Sequence, residues 1–147
     1  MASGAARFFR MGLILDSTIP MKAERGGLNA QQAVLEIRLR FGDEQLAMSV
    51  ITLTELAHGI ARADSSKRTQ ARQQFLEDIR RALPIYPVSE AIAVRAGLLD
   101  GTLASQGIHV ALSDLLIGVT ALEIGYGVAT HNVKHFKMIP GLYVAAL

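Results

Sequence analysis

The sequence predicts an α/β fold, a three-layer α/β/α sandwich built around a central parallel sheet of four or five strands. Three short apolar runs, at residues 12–15, 46–51 and 126–130, have the length and composition of buried strands. Segments with helical spacing of apolar residues separate these runs, and strands that alternate with helices are typical of parallel sheets with helices on both faces. Half of the 147 residues are hydrophobic, which is enough for a sizeable core in one domain.

The first half of the chain carries two predicted strands and three predicted helices. Gly42 and Asp43 break the first helix, and Thr52 and Glu55 have the spacing of a capping box at the start of the second. The third helix is amphipathic and basic, and Pro84 ends it. In chain order, these elements are a strand at residues 12–15, a helix at 29–41, a strand at 46–51, a helix from residue 52 and a helix at 65–83.

The second half contains three further predicted strands and two predicted helices. The brief strand at 85–88 has prolines beside and within it, which indicates the edge of the sheet. Ser89 caps the helix that follows, and Gly125 ends the apolar helix before the fourth strand. These elements are a strand at residues 85–88, a helix from 90 to about 104, a helix at 114–124, a strand at 126–130, a polar loop from 130 and a strand at 142–145.

Residues 1–11 are expected to be a mobile N-terminal extension, with Met11 as an alternative start, and residues 12–147 are expected to form a single domain. The absence of cysteine excludes disulfides and thiolate metal sites and suits a reducing cytoplasm. No apolar run approaches the roughly 20 residues that span a bilayer. The net charge of +2 does not by itself indicate nucleic-acid binding, and the basic residues within 62–81 are interpreted as a solvated helix face.

Three carboxylates are candidates for a shared site. Asp114 stands alone among apolar residues, where a charge needs a helix N-terminus, a basic partner or a cation. Asp16 follows the first strand, and Glu55 follows the second. Each has a simple structural explanation, a cap or turn for Asp16 and the capping box for Glu55. Because the carboxyl ends of parallel strands meet at one edge of a sheet, we expect the three to lie together, beside Thr130 and Asn132.

The ordered set of motifs resembles PIN-domain proteins, and within them the VapC-type toxins of toxin–antitoxin pairs. The resemblance covers residues 12–147 in the family's order and spacing. Its motifs are LDS at 15–17, SVITLTELAHG at 49–59, SDLLIGVTAL at 113–122, VATHN at 128–132 and HF at 135–136. Gly118 stands where alanine is frequent in the family, and the glycine is expected to be harmless there. The resemblance implies a metal-dependent endoribonuclease with a PIN-like fold.

The resemblance also implies which residues act. It maps the catalytic, metal-binding acids onto Asp16, Glu55 and Asp114. The family's fourth acidic position falls within residues 132–135, where this chain has no carboxylate. Hard carboxylate oxygens suit Mg²⁺, with Mn²⁺ as a substitute. Three carboxylates predict one well-occupied metal, with a second bound only when RNA phosphate supplies charge. The secondary polar residues, expected to orient water or phosphate, are Ser17, Thr130 and Asn132.

The partners that the resemblance implies are RNA as substrate, a cognate antitoxin and a second copy of the chain in a homodimer, in the cytoplasm and without a membrane. The apolar faces of the helices at 29–41 and 65–83 are candidate surfaces for these proteins. One alternative is a PIN-like module with a degenerate site that binds RNA or protein without cutting. Another is a different metal-dependent phosphoesterase or nuclease. A metal-free mechanism would need two well-placed imidazoles, and His131 and His135 are the ones near the site.

Overall fold

A five-stranded sheet forms the centre of the molecule. The computed structural model describes residues 11–147. The strands are β1 (Gly12–Leu15), β2 (Gln45–Ser49), β3 (Ile85–Tyr86), β4 (Gly127–Thr130) and β5 (Val144–Ala146). Their order is β3-β2-β1-β4-β5, and every neighbouring pair is parallel. The prediction of a parallel sheet is confirmed with five strands, and β3 lies at an edge as its prolines indicated.

Seven helices within residues 11–147 connect and cover the strands. They are α1 (Thr18–Arg25), α2 (Ala30–Phe41), α3 (Val50–Ala61), α4 (Ser66–Ala82), α5 (Glu90–Ser105), α6 (Leu112–Ile124) and α7 (Val133–Lys137). Asn29, Ser65 and Ser89 cap α2, α4 and α5 with side-chain oxygens that accept backbone N–H bonds, which explains why these helices begin where they do. None of the helices in this part of the chain is long and apolar enough to cross a bilayer.

The side chains of β1 alternate between two cores, and this alternation produces the three layers. Leu13 and Leu15 point into a core shared with α1, α2 and α4. Ile14 points into the opposite core, which α6, α7 and part of α5 complete. In β2, Met48 joins the first core and Ala47 the second. Helices therefore cover both faces of the sheet, and the predicted α/β/α sandwich is confirmed.

The junction between β2 and α3 differs from the prediction. The strand ends at Ser49 rather than Ile51, and Ser49 itself caps α3, with its Oγ accepting the Ile51 N–H at 3.1 Å. The capping box proposed for Thr52 and Glu55 is therefore wrong. Thr52 is buried in the first turn, and its hydroxyl donates to the Leu15 carbonyl at 3.5 Å. The apolar run continues through Val50, so its composition did not reveal the boundary.

Two helices were not predicted. Helix α1 contains Pro20, which suggests a break, but proline is tolerated in the first turn, where its missing N–H has no helical partner to lose. Helix α7 is only five residues long and lies in the segment interpreted as a polar loop. The expected N-terminal extension lies outside the described residues except for Met11, whose N–H donates to the Gly125 carbonyl at 2.8 Å.

The order of the sheet reverses at β1. From β1, the chain builds outward through β2 and β3 on one side and through β4 and β5 on the other. The carboxyl ends of β1 and β4 are therefore adjacent, with Leu15 paired to Ala129. In open α/β sheets the loops at such a switch point diverge and leave a crevice in which ligands bind.

Candidate active site

Asp16 is the most buried of the three candidate carboxylates, with 1% of the residue exposed directly after β1. Both of its oxygens accept threonine hydrogen bonds, because Thr18 Oγ1 donates to Oδ1 at 2.5 Å and Thr130 Oγ1 donates to Oδ2 at 2.9 Å. Burial raises the pKa of Asp16, the two threonines lower it, and the nearby Asp114 raises it. The threonines thus hold the carboxylate in one orientation at the switch point.

Glu55 belongs to α3 and has a carboxylate oxygen in need of a partner. Its Oε1 is buried and accepts no hydrogen bond from the residues that the structure describes. Burial is the main cause that raises the pKa of Glu55, a hydrogen bond with the Ser17 side chain lowers it, and the charges of Asp114 and Asp16 raise it. A buried carboxylate oxygen without a donor is costly, so Glu55 is suited to a cationic ligand.

Asp114 lies in the first turn of α6, where free backbone N–H groups favour a negative charge. A second compensation comes from α7, because His135 Nδ1 lies 3.3 Å from Asp114 Oδ2. Burial raises the pKa of Asp114, and the contact with His135 lowers it. Two of the three compensations that the sequence suggested, a helix N-terminus and a basic partner, are therefore present at this residue.

The three carboxylates are close enough to influence one another. Asp114 raises the pKa of both Asp16 and Glu55, and Asp16 raises that of Glu55. As placed, however, the side chains do not form a ready ligand set, since no three acids or imidazoles within residues 11–147 are positioned to hold one ion. The donor chemistry still fits a hard divalent cation, because all three groups offer carboxylate oxygens and one of those oxygens is buried without a partner.

The predicted secondary residues separate into two kinds. Thr130 is fully buried, donates to Asp16 and accepts the Asn132 N–H at 2.8 Å, so its hydroxyl is already engaged. Ser17 is buried beside Glu55. Asn132 is exposed and stands at the start of α7. Its side chain makes no capping hydrogen bond to α7. The predicted part of Asn132 in orienting water or phosphate stays a prediction.

Sequence reasoning missed Thr18. Its hydroxyl donates to Asp16 and also accepts the His131 N–H at 3.1 Å, so it joins the loops after β1 and β4. A threonine two residues after a strand-ending aspartate is the available signal, because short hydroxyl side chains commonly bond to groups two residues away. The signal was missed because helix α1, which begins at Thr18, was not predicted.

Besides this arrangement of acids at the switch point, most of the chain matches the model of a known protein family. Residues 13–141 match the family model of the PIN domain. This chain belongs to the PIN-domain family. Among PIN-domain proteins it is 34% identical over 135 residues to Ribonuclease VapC1 of Rickettsia felis, covering 91% of this chain and 95% of that protein. The resemblance drawn from the motifs is thereby confirmed.

Solved structures of PIN-domain proteins agree with the fold. A chain of the Rickettsia felis VapBC2 complex, crystallised with a DNA fragment from its promoter, superposes with a TM-score of 0.75 at 26% identity, covering 93% of this chain and 99% of that one. A chain of VapBC-1 from nontypeable Haemophilus influenzae gives a TM-score of 0.75 at 25% identity, with coverage of 92% and 98%. The sandwich seen here is therefore the PIN fold over nearly its whole length.

Proposed function

We propose that this PIN domain is a divalent-metal-dependent endoribonuclease and the toxin of a toxin–antitoxin pair. The observation that carries the proposal is the convergence of Asp16, Glu55 and Asp114 at the switch point, with Glu55 Oε1 buried and unpartnered. The relative at 34% identity is named a ribonuclease and is covered over 95% of its length, which supports RNA as the substrate.

The residues of the proposed metal site have two roles, which are to hold the ion and to orient one of its ligands. Asp16, Glu55 and Asp114 would hold Mg²⁺, or Mn²⁺ in its place. When bound, such an ion lowers the pKa of a coordinated water and stabilises negative charge on a phosphodiester. Thr18 and Thr130 orient Asp16 through both of its oxygens.

A groove beside the carboxylates supports a polyanionic substrate. It has a volume of about 240 Å³, and Thr18, Lys22, Arg25 and His131 are among the residues that line it. Lys22 and Arg25 are exposed, so their charges are available to phosphate groups of RNA. Thr18, which bonds to Asp16, lines this groove together with the two cations, so their positive charge lies near the acidic cluster and offsets its repulsion of RNA.

A second candidate function, a module that binds RNA or protein without cutting, has one observation in its favour. The segment in which the family resemblance implies a fourth acid has His135 against Asp114 instead, at 3.3 Å. The three remaining carboxylates are still enough to hold one divalent ion with waters completing its coordination, so we favour the enzyme.

The deciding experiment is cleavage of a defined RNA with Mg²⁺ and with EDTA. We expect products with a 5′-phosphate and a 3′-hydroxyl, as attack by water gives, and no cleavage in EDTA. Asp114→Asn should lower the rate at least about 100-fold, because loss of a ligand exceeds the usual effect of losing a group that merely supports one. Asp100→Asn, an exposed aspartate on α5, is the matched control.

Each other outcome selects a different function. RNA that binds but stays intact with Mg²⁺ identifies the non-cutting module. Cleavage of DNA or of a small phosphate ester in preference to RNA identifies a different phosphoesterase. Asp114→Asn protein that cuts at the wild-type rate would show that Asp114 is only a helix-capping charge.

We further propose an antitoxin and a second copy of the chain as protein partners. The VapBC complexes that superpose on this chain support the antitoxin. Of the two candidate surfaces, the apolar stripe of the helix at 65–83 belongs to the core, because Phe75 and Ile79 are buried there. Helix α2, in contrast, exposes 60% of Leu35 and 78% of Leu39 on its outer side, and it remains the candidate surface for the antitoxin.

A further inference from the structure

A half-buried ion pair joins the helices that flank two of the three carboxylates. Arg72 on α4 donates from Nε to Glu24 Oε1 at 3.0 Å and from Nη1 to the Gly59 carbonyl at 2.6 Å. The Arg72 side chain is 22% exposed and that of Glu24 is 11% exposed. The basic face of α4 was interpreted as solvated, and at Arg72 that interpretation is wrong.

The two acceptors of Arg72 lie on the elements that carry the site. Glu24 is in the last turn of α1, the helix that begins two residues after Asp16 and contains Thr18. Gly59 is in the last turn of α3, one turn beyond Glu55. Its carbonyl lies in the final helical turn, where it also accepts the Arg62 N–H at 3.3 Å and where a cation is favourable. One guanidinium therefore fixes the end of α1 against the end of α3.

Glu55 and this ion pair share a cavity. The cavity has a volume of about 40 Å³, and its lining includes Glu24, Glu55, Gly59 and Arg72. Arg68 adds a weaker contact to Glu24, with Nη2 3.8 Å from Oε2. If Arg72 were absent, the Glu24 carboxylate would keep only the 3.8 Å contact with the more exposed Arg68, and its charge would be poorly compensated across this cavity from Glu55. It would repel Glu55 or turn toward solvent, and in either case the wall behind Glu55 would move.

We propose that Arg72 and Glu24 are positioning residues that hold Glu55 for metal binding and RNA cleavage. This inference rests on the proposed function. Neither residue touches RNA or metal in this assignment; both act through the placement of α3 against α1. Arginine is required because a planar fork satisfies Glu24 and Gly59 at once, whereas lysine offers a single point of contact.

The experiment measures Mn²⁺ affinity by calorimetry and cleavage kinetics for Arg72→Gln, Arg72→Lys and Glu24→Gln. We expect Mn²⁺ affinity and kcat to fall by about 10- to 100-fold in Arg72→Gln, as for groups that support metal ligands, with KM for RNA within about twofold of the wild type. Arg72→Lys should recover only part of the loss. The double variant Glu24→Gln/Arg72→Gln should be no worse than the poorer single variant, because both act through one contact.

Arg80→Gln is the matched control, since Arg80 lies on the same helix and pairs with Glu77 at 3.4 Å but is 53% exposed. It removes the same charge and should leave affinity and kcat unchanged. Glu24→Gln keeps the shape of the side chain and provides the measurement if Arg72→Gln does not fold. Folded variants with wild-type Mn²⁺ affinity and kcat would overturn the positioning role alone. A wild-type protein that neither binds Mn²⁺ nor cuts RNA would overturn the proposed function and this inference with it.

Discussion

At the scale of single residues, the site contains more negative charge than the protein alone compensates. Burial raises the pKa of Asp16, Glu55 and Asp114 above their ordinary values, and repulsion from neighbouring carboxylates raises those of Asp16 and Glu55 further. A carboxyl group whose pKa is higher in the folded state than in the unfolded chain binds more protons when folded. Stability therefore falls as pH rises from the ordinary carboxyl value through the raised one.

Glu55→Gln tests this electrostatic cost. In EDTA at neutral pH we expect the variant to have a higher Tm than the wild type, because a neutral amide replaces a repelled, buried carboxylate while activity is lost. The Tm of the wild type in EDTA should itself rise as pH is lowered toward the ordinary carboxyl range, and this slope should be smaller in the variant. Thermal unfolding followed by circular dichroism provides both curves. A lower Tm for Glu55→Gln at neutral pH would show that the carboxylate is stabilising.

Asn132→Asp tests the number of metals. With three carboxylates, the free protein should bind one divalent ion well, because a second nearby cation needs another negative ligand to offset repulsion between the metals. Adding a carboxylate at the exposed start of α7 should tighten Mn²⁺ binding and leave activity equal or higher at limiting Mg²⁺. Calorimetry compares the two proteins. Two equally tight sites in the wild type, or no gain in Asn132→Asp, would contradict the one-metal proposal.

At the scale of elements, helical spacing of apolar residues located α2 and α4, and the cap at Ser89 located α5, each to within a residue. Two helices that rely on their surroundings were missed. Helix α1 has no side-chain cap bond at Ser17, and α7 has none at Asn132. Both are held by contacts of buried residues, Ile19 in one core and Phe136 in the other. Such packing depends on residues far away in the chain, which local spacing cannot reveal.

Gly118→Ala tests how tightly α6 is packed. A methyl group at Gly118 would collide with Ile139 Cδ1 and press on Leu142 Cδ2 at 3.3 Å. The expectation that glycine is merely harmless here is therefore too weak, because the buried Ile139 side chain occupies the space that alanine would need. We expect Gly118→Ala to lower the free energy of unfolding by about 1–3 kcal/mol, as overpacking does. Urea denaturation measures the change.

The control for that prediction is Gly101→Ala on α5, where an added methyl group meets no atom within 4 Å. Because alanine loses less conformational entropy than glycine on folding, the free energy of unfolding of this variant should rise by about 0.5–1 kcal/mol. Equal effects of the two substitutions would mean that helix propensity, rather than contact with Ile139, decides the outcome.

At the scale of the whole molecule, the alternation of strands and helices was enough to predict the sandwich and the edge at which the acids meet. The pattern could not give the hydrogen bonds of Asp16 with Thr18 and Thr130, or the pair formed by Arg72 and Glu24. The bond from Thr130 to Asp16 depends on two loops that meet only when β1 and β4 pair, and the pair of Arg72 and Glu24 depends on the packing of α4 against α1. The sequence therefore predicted which carboxylates lie near one another, and only the folded chain reveals the groups that hold them.

The protein partners provide the prediction at this scale. Light scattering of the purified protein should give the mass of a dimer of the 15.8 kDa chain. Co-expression with a cognate antitoxin should yield a complex in which RNA cleavage is inhibited. Leu35→Glu/Leu39→Glu should weaken that complex at least about 10-fold without reducing cleavage by the free protein, because charges replace exposed apolar contacts. A monomer at high concentration, without a co-purifying antitoxin, would count against both partners.

The pairing of β1 with β4 also determines when the candidate site can be complete during synthesis of the chain. Thr130 is 114 residues beyond Asp16, so the hydrogen bond between them joins two residues that the ribosome adds at widely separated times. At about 5–20 residues per second, the ribosome needs roughly 6 to 23 s to pass from one codon to the other. Until β4 leaves the exit tunnel, the nascent chain has Asp16 but lacks Thr130, one of the two threonines that orient it. While most of the message is being read, the ribosome therefore holds a fragment in which the candidate site is incomplete.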